Sequence, residues 1–348
     1  MKRKALFATV ILSFCAGLLA AETGALFAVA EEYNQEYRRL QLNHELAALR
    51  AERQSIQARD RVDELQVAET IFSARETYRR GLESFYHAVL DVAFEVLTSS
   101  LRLDLAEHQV TRGTEQVSQA ELRFTRGLVP QTEVINSRIE LRGARRDRDN
   151  AQWSLQDAHI VFTDALGADW SQDLLPRVDA ASFHGIDDPT GDWSERDAVL
   201  ASVLETSPAT GRAGVAAEKA RVRHGRLPAN APAFDRRIAD AEVEQAEFEV
   251  SRVRADTERQ FEQVLRQLQS QSETILIYRE ELELREELAR ESRLNFERGM
   301  ATSLERDQAM IQLLQTRIQL LNAELEFFKT RVTRQLLLGK TPAGEPIW

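Results

Sequence analysis

The chain has 348 residues, 43% hydrophobic and 29% charged, with 15 Gly, 8 Pro and 1 Cys. It is far too apolar for a disordered polypeptide and too poor in Gly and Pro for a turn-rich sandwich or barrel. A formal charge of −11 argues against a nucleic-acid binder with an overall basic surface.

The first element is a targeting segment. Lys2, Arg3 and Lys4 precede an apolar run from Ala5 to Ala21 that Glu22 ends. A basic start, a short apolar core and small residues at Ala20-Ala21 form the pattern of a secretory signal peptide over 1–21. The run is too short to favour a permanent anchor. A second cleavage site is open at Ala28-Val29-Ala30. Cys15 follows Phe14, where a lipoprotein signal wants a small residue, so a lipid anchor is not expected. Without Cys15 the exported chain has neither disulfides nor a thiolate metal site. No later run approaches 18 consecutive apolar residues, so no transmembrane helix is expected after the signal.

Proline placement draws the rest of the map. Residues 31–129 and 233–341 contain none, and hold only Gly81, Gly113, Gly127, Gly299 and Gly339. Two such runs, rich in Glu, Arg, Leu, Gln and Ala, predict long helices. Ile311, Leu314, Ile318, Leu321, Leu325, Phe328 and Val332 alternate spacings of three and four, the mark of a coiled-coil seam. Leu313, Leu320 and Phe327 form a second line every seven residues. A helix with two apolar lines touches partners on two sides, as in a closed ring of helices. Exposed faces should carry i,i+4 pairs such as Glu286–Arg290.

The chain also repeats itself. A slide of 172 residues places Leu122, Phe124, Arg126 and Gly127 on Leu294, Phe296, Arg298 and Gly299. The match continues ungapped until Leu166-Gly167 falls on Leu338-Gly339. Each half reads as a long helix, a tight turn at Arg-Gly, a return helix and a Leu-Gly stop, with glycine supplying a left-handed residue. The expected organisation is a first helical repeat over 22–167, an irregular connector over 168–194, a second repeat over 195–340 and a tail over 341–348. The fold class is all-α, built of long antiparallel coiled-coil helices in two tandem repeats.

The segment FxRGLVPQTEV at 124–134 and its echo FxRGMATSLE at 296–305 resemble the TolC-like outer-membrane efflux proteins. Leu200 to Pro208 (LASVLETSP) is similar to the family's helix opening, and Phe27 to Gln35 is a fainter first copy. The resemblance implies a homotrimer whose helices close into a hollow α-barrel across the periplasm. It further implies an outer-membrane location, a periplasmic adaptor and an inner-membrane pump as partners, and no cofactor. One departure stands out. The family inserts paired membrane strands between the opening helix and the long helix of each repeat. Here those places are Arg223–Asp235, with Pro228 and Pro232, and the polar, helix-like Arg53–Val62. Neither holds two strands of 9–11 alternating residues, so little or no β-barrel is expected.

The family's periplasmic tip falls on Arg126, Gly127, Leu128 and Val129, with its copy at Arg298, Gly299, Met300 and Ala301. These residues are the expected adaptor-docking surface, although a turn needs glycine in any case. Glu133 and Glu305 take the family's acidic position after each turn. They would either ring the channel entrance and favour cations or cap the return helices. The six histidines are scattered, no nucleotide or hydrolase motif occurs, and no catalytic or metal site is expected. Trp348 has no preceding strand and is assigned no role.

Two readings compete: an exit-duct subunit for efflux or type I secretion, and a barrel-less periplasmic scaffold of the same family that binds partners without conducting. Both predict an elongated helical molecule. A circular dichroism spectrum with substantial strand content, or a compact hydrodynamic radius, would contradict them.

Overall fold

A computed structural model describes residues 26–166 and 196–348. The expected signal segment, Cys15, the connector and Gly167 lie outside the described residues. Among the described residues the chain forms eight helices. Helix α1 spans 26–33, α2 Gln35–Gln57, α3 Arg61–Thr125 and α4 Gln131–Leu166. They are followed by α5 Arg196–Thr206, α6 Pro208–Gly225, α7 Ala233–Glu297 and α8 Ser303–Leu337. Helices α3 and α7 each run 65 residues, and α4 and α8 run 36 and 35. The described residues contain no strand, only an isolated bridge between Lys340 and Pro346.

Helix starts follow side-chain capping. The Asn34 carboxamide oxygen accepts from the Glu36 and Tyr37 amides at 2.8 and 3.3 Å, which starts α2. Ser207 does the same for α6, whose first residue is Pro208. Asp60 accepts from the Val62 and Asp63 amides at 2.8 and 3.0 Å and so opens α3. Arg53–Val62 is therefore not one helix. Helix α2 ends at Gln57, and the three residues before Arg61 make a tight turn fixed by this cap.

The chain divides into two compact units, and this spatial division cuts across the two sequence halves. The first unit takes 26–88, 196–269 and 329–348 of the described residues. Its core joins α1 to α3 through the edge-on pair Phe27–Tyr86, centroids 5.0 Å apart, and joins α2 to α3 through Tyr37–Phe85, also 5.0 Å. The Tyr86 hydroxyl donates to Glu31 at 2.6 Å, and burial raises the Glu31 carboxyl above its usual range despite that bond. A second cluster packs Val203 of α5 on Phe261 and Leu265 of α7. After α8 the tail folds back: Ile347 donates to the Gly339 carbonyl at 2.9 Å, and the Trp348 ring lies 5.8 Å from the Arg75 guanidinium.

The second unit takes 89–166 and 270–328. Phe94 packs on Phe328 with centroids 6.1 Å apart, and Gly113 lies against Leu141 where α3 meets α4. Ile311, Leu314, Leu321 and Phe328 of one α8 line are buried, as are Leu313, Leu320 and Phe327 of the other. Most of both lines is thus covered inside a single chain, while Ile318 and Leu325 of the first are half-buried. Charge pairs at i,i+4 occur, as in Arg293–Glu297 and Arg285–Glu281, but Glu286 and Arg290 take other partners. Arg290 pairs with Glu287 at 2.9 Å, while Glu286 reaches across to Arg317 at 2.8 Å.

Because Phe327 is 2% exposed, Phe327→Ala should cost roughly 3–5 kcal/mol by removing the ring and leaving a cavity. Urea unfolding followed by circular dichroism should show the drop in midpoint.

Candidate functional site: the two hairpin turns

The sequence-selected residues come together as two helical hairpin turns, both in the second unit. One joins α3 to α4 and the other joins α7 to α8. The same pair of backbone hydrogen bonds ends the first helix of each. Gly127 N–H donates to the Phe124 carbonyl at 2.8 Å and Leu128 N–H to that of Arg123 at 2.9 Å. Gly299 N–H donates to the Phe296 carbonyl at 2.9 Å and Met300 N–H to that of Asn295 at 2.8 Å. This paired pattern is the Schellman ending of a helix, and it requires a left-handed residue at the glycine. The φ angles of Gly127 and Gly299 are +71° and +72°. A Cβ built on either glycine would meet nothing within 4 Å. The glycines are demanded by the backbone, not by close packing.

Around each turn the side chains divide by exposure. Leu128 and Met300 are each 66% exposed, and Arg126 and Arg298 also face solvent. Val129 is tucked in, and Ala301 is half-buried.

Glu133 and Glu305 are both engaged, in different ways. Arg123 Nη1 donates to Glu133 Oε1 at 3.1 Å, an exposed ion pair across the hairpin. Glu305 Oε2 accepts from the Thr302 amide at 2.7 Å and its hydroxyl at 3.0 Å. The Glu305 amide returns a bond to the Thr302 hydroxyl at 3.2 Å, which completes a capping box at the start of α8. The Thr302 amide, then its hydroxyl, hold the Glu305 carboxyl below the usual carboxylate range.

The two turns are staggered along α3. Ser303 of α8 donates to Glu115 at 2.8 Å, whereas Glu133 of α4 is level with Arg123. Eight residues of helix separate those levels, roughly 12 Å at 1.5 Å per residue. The first turn projects beyond the second.

Sequence reasoning missed two acids buried in α8. Asp307 is 2% exposed, with Oδ1 bonded by Arg306 at 2.7 and 2.9 Å and Oδ2 without a hydrogen bond. Arg306 also lies over the Phe296 ring, 4.6 Å from its centroid, and so ties α8 to the turn. Glu324 is 1% exposed, and Arg279 Nη2 approaches its Oε1 only to 3.5 Å. Burial pushes the Glu324 carboxyl up to about 7, against a smaller opposing pull from Arg279. The available signal was spacing: Asp307 stands four residues before Ile311 on the first apolar line, and Glu324 four after Leu320 on the second. Among the described residues no group of three His, Cys, Asp or Glu could hold a metal ion. No helix among them is long and apolar enough to cross a membrane.

No protein-family model matches the sequence, and no curated protein matches it. Solved structures do match. The CusC transmembrane channel aligns at TM-score 0.57 and 14% identity, covering 91% of this chain and 92% of that one. The VceC outer membrane protein of Vibrio cholerae aligns at 0.54 and 12%, covering 93% and 97%. The CmeC outer membrane channel of Campylobacter jejuni aligns at 0.58 and 9%, covering 93% and 86%. The class is therefore defined by fold: the described residues form a TolC-like, all-helical fold. CusC, VceC and CmeC are particular proteins that share it.

Glu324 makes a pH prediction. Its carboxyl takes up a proton more readily in the folded chain than at its ordinary value of 4.5, so folding binds protons between 4.5 and about 7. Stability should accordingly fall as pH rises through that window and level off above it. Glu324→Gln should remove this component from urea midpoints measured across the window. An unchanged pH profile in the variant would assign the effect elsewhere.

Proposed function

We propose that the chain is a subunit of a homotrimeric exit duct for efflux or type I secretion. The observation that carries this reading is the pair of equivalent hairpin turns, each presenting a solvent-exposed apolar residue, set in a TolC-like protomer fold. In this reading Arg126, Gly127, Leu128 and Val129, with Arg298, Gly299, Met300 and Ala301, receive the helical hairpin of a periplasmic adaptor. The adaptor links the duct to an inner-membrane pump. The protein is exported, acts at the outer membrane or in the periplasm, and is not an enzyme.

The acids have unequal roles in this scheme. Arg123 offsets the charge of Glu133, whereas Glu305 contacts only Thr302 and keeps its full negative charge at the mouth. Glu305→Gln should shift charge selectivity more than Glu133→Gln.

A specific observation favours the second reading, a barrel-less scaffold. The turns at 58–60 and 226–232, where the family's membrane strands would be inserted, carry no strand. Membrane fractionation separates the two. A fraction resistant to carbonate and high salt supports the duct, and release as a soluble trimer supports the scaffold.

The docking surface is tested by Gly127→Leu with Gly299→Leu. A left-handed leucine costs about 1–2 kcal/mol per site, and the open space around each glycine admits the side chain, so the protein should fold and be exported at normal abundance. In a strain that depends on this protein, resistance to drugs or detergents should be lost. Retained resistance would exclude the turns as the docking site, and a purely monomeric species by native mass spectrometry at micromolar concentration would exclude the trimer.

A further inference from the structure

The turn between α2 and α3 and the turn between α6 and α7 belong to the first unit and are tied together. Arg226 Nη1 donates to Asp60 at 2.7 Å, Arg61 Nη2 to Glu218 at 2.5 Å, and Lys219 reaches Glu69 and Gln66 at 2.5 and 2.9 Å. Two features of these turns do not suit an end that simply faces water.

The first is apolar exposure. Ile56, in the last turn of α2, is 81% exposed, and Phe234, the second residue of α7, is 70% exposed. The second is charge. Residues 53–64 and 223–240 hold seven arginines against five carboxylates, in a chain whose net charge is −11. The carboxylates are largely spent locally: Asp60 on Arg226, Glu64 on Arg61 and Asp240 on His224. Arg53, Arg59, Arg223 and Arg237 are exposed and have no ion pair among the described residues.

We propose that these paired turns dock on an anionic lipid surface, with Ile56 and Phe234 entering the headgroup region and the four arginines on lipid phosphates. Apolar side chains ringed by basic ones fit an interface that is oily below and negatively charged above. A second copy meeting these turns with its own would set like-charged arginines face to face, which is unfavourable. The inference is independent of the duct reading, because it uses neither the hairpin turns of the second unit nor conduction.

The test labels the full chain, in a Cys15→Ser background, with an environment-sensitive dye at Ile56→Cys, Phe234→Cys or Leu128→Cys. The dye site separates docking by the turns from any binding by the apolar segment at 5–21. With phosphatidylglycerol vesicles the dye at 56 and at 234 should shift to the blue and be quenched by a lipid-borne quencher, while the dye at 128 should not. The shift should be absent with phosphatidylcholine vesicles and reversed by high salt. Changing Arg53, Arg59, Arg223 and Arg237 together to Gln should lower the vesicle partition coefficient by about three orders of magnitude. No shift at 56 or 234, or an equal shift with phosphatidylcholine, would overturn the proposal. So would a shift without vesicles that follows protein concentration, which would assign the turns to a second copy.

Discussion

Helix α8 must be covered along two lines at once. Its residues Ile311, Leu314, Leu321 and Phe328 face one way, and Leu313, Leu320 and Phe327 face a neighbouring way, and all are buried. A helix with that requirement cannot sit at the margin of a bundle. In the second unit α3 covers it, through Ser303–Glu115 and Arg112–Gln308, and so does α7, through Arg285–Gln312 and Arg317–Glu286. In the first unit α3 again meets it, where Thr333 donates to Glu83 at 2.8 Å and His87 contacts the Lys329 carbonyl at 3.0 Å. In each unit the side-chain contacts between α3 and α8 run antiparallel.

That arrangement changes where an assembly surface can lie. From sequence, two apolar lines on α8 suggested closure by other copies. Within one chain most of those lines is already covered, with Ile318 and Leu325 half-buried. The exposed apolar side chains belong to other helices: Leu42, Leu46 and Leu49 on α2, Ile139 and Trp153 on α4, and Phe248 and Ile277 on α7. On α2 the spacing from Leu42 to Leu46 and Leu49 makes one stripe of a helix face. Exposed apolar surface is present, but on helices other than the one whose periodicity stands out in the sequence.

What the sequence revealed and what it concealed divide along physical lines. Helix extent and the left-handed glycines at 127 and 299 were legible because each depends on a few neighbouring residues. The break at 58–60 was not, since Arg53–Val62 lacks Gly and Pro and the next helix is started by the Asp60 side chain alone. The pairing of Arg226 with Asp60 joins residues far apart in the chain, and no local pattern announces it. Glu324 was hidden for a different reason. A glutamate among leucines is read as part of a solvated face until its helix proves to be covered on both sides.

The turns themselves separate conformation from recognition. Because the cavity-free space around Gly127 and Gly299 is open, neither turn depends on packing against its surroundings for its shape. The Schellman bonds set the backbone, and Thr302 and Glu305 set the start of α8, so these polar groups are occupied before any partner arrives. The groups left over are Leu128 and Met300, with the guanidinium groups of Arg126 and Arg298 beside them. The stagger of about 12 Å between the two turns adds a geometric condition. The two turns therefore do not lie on one flat surface.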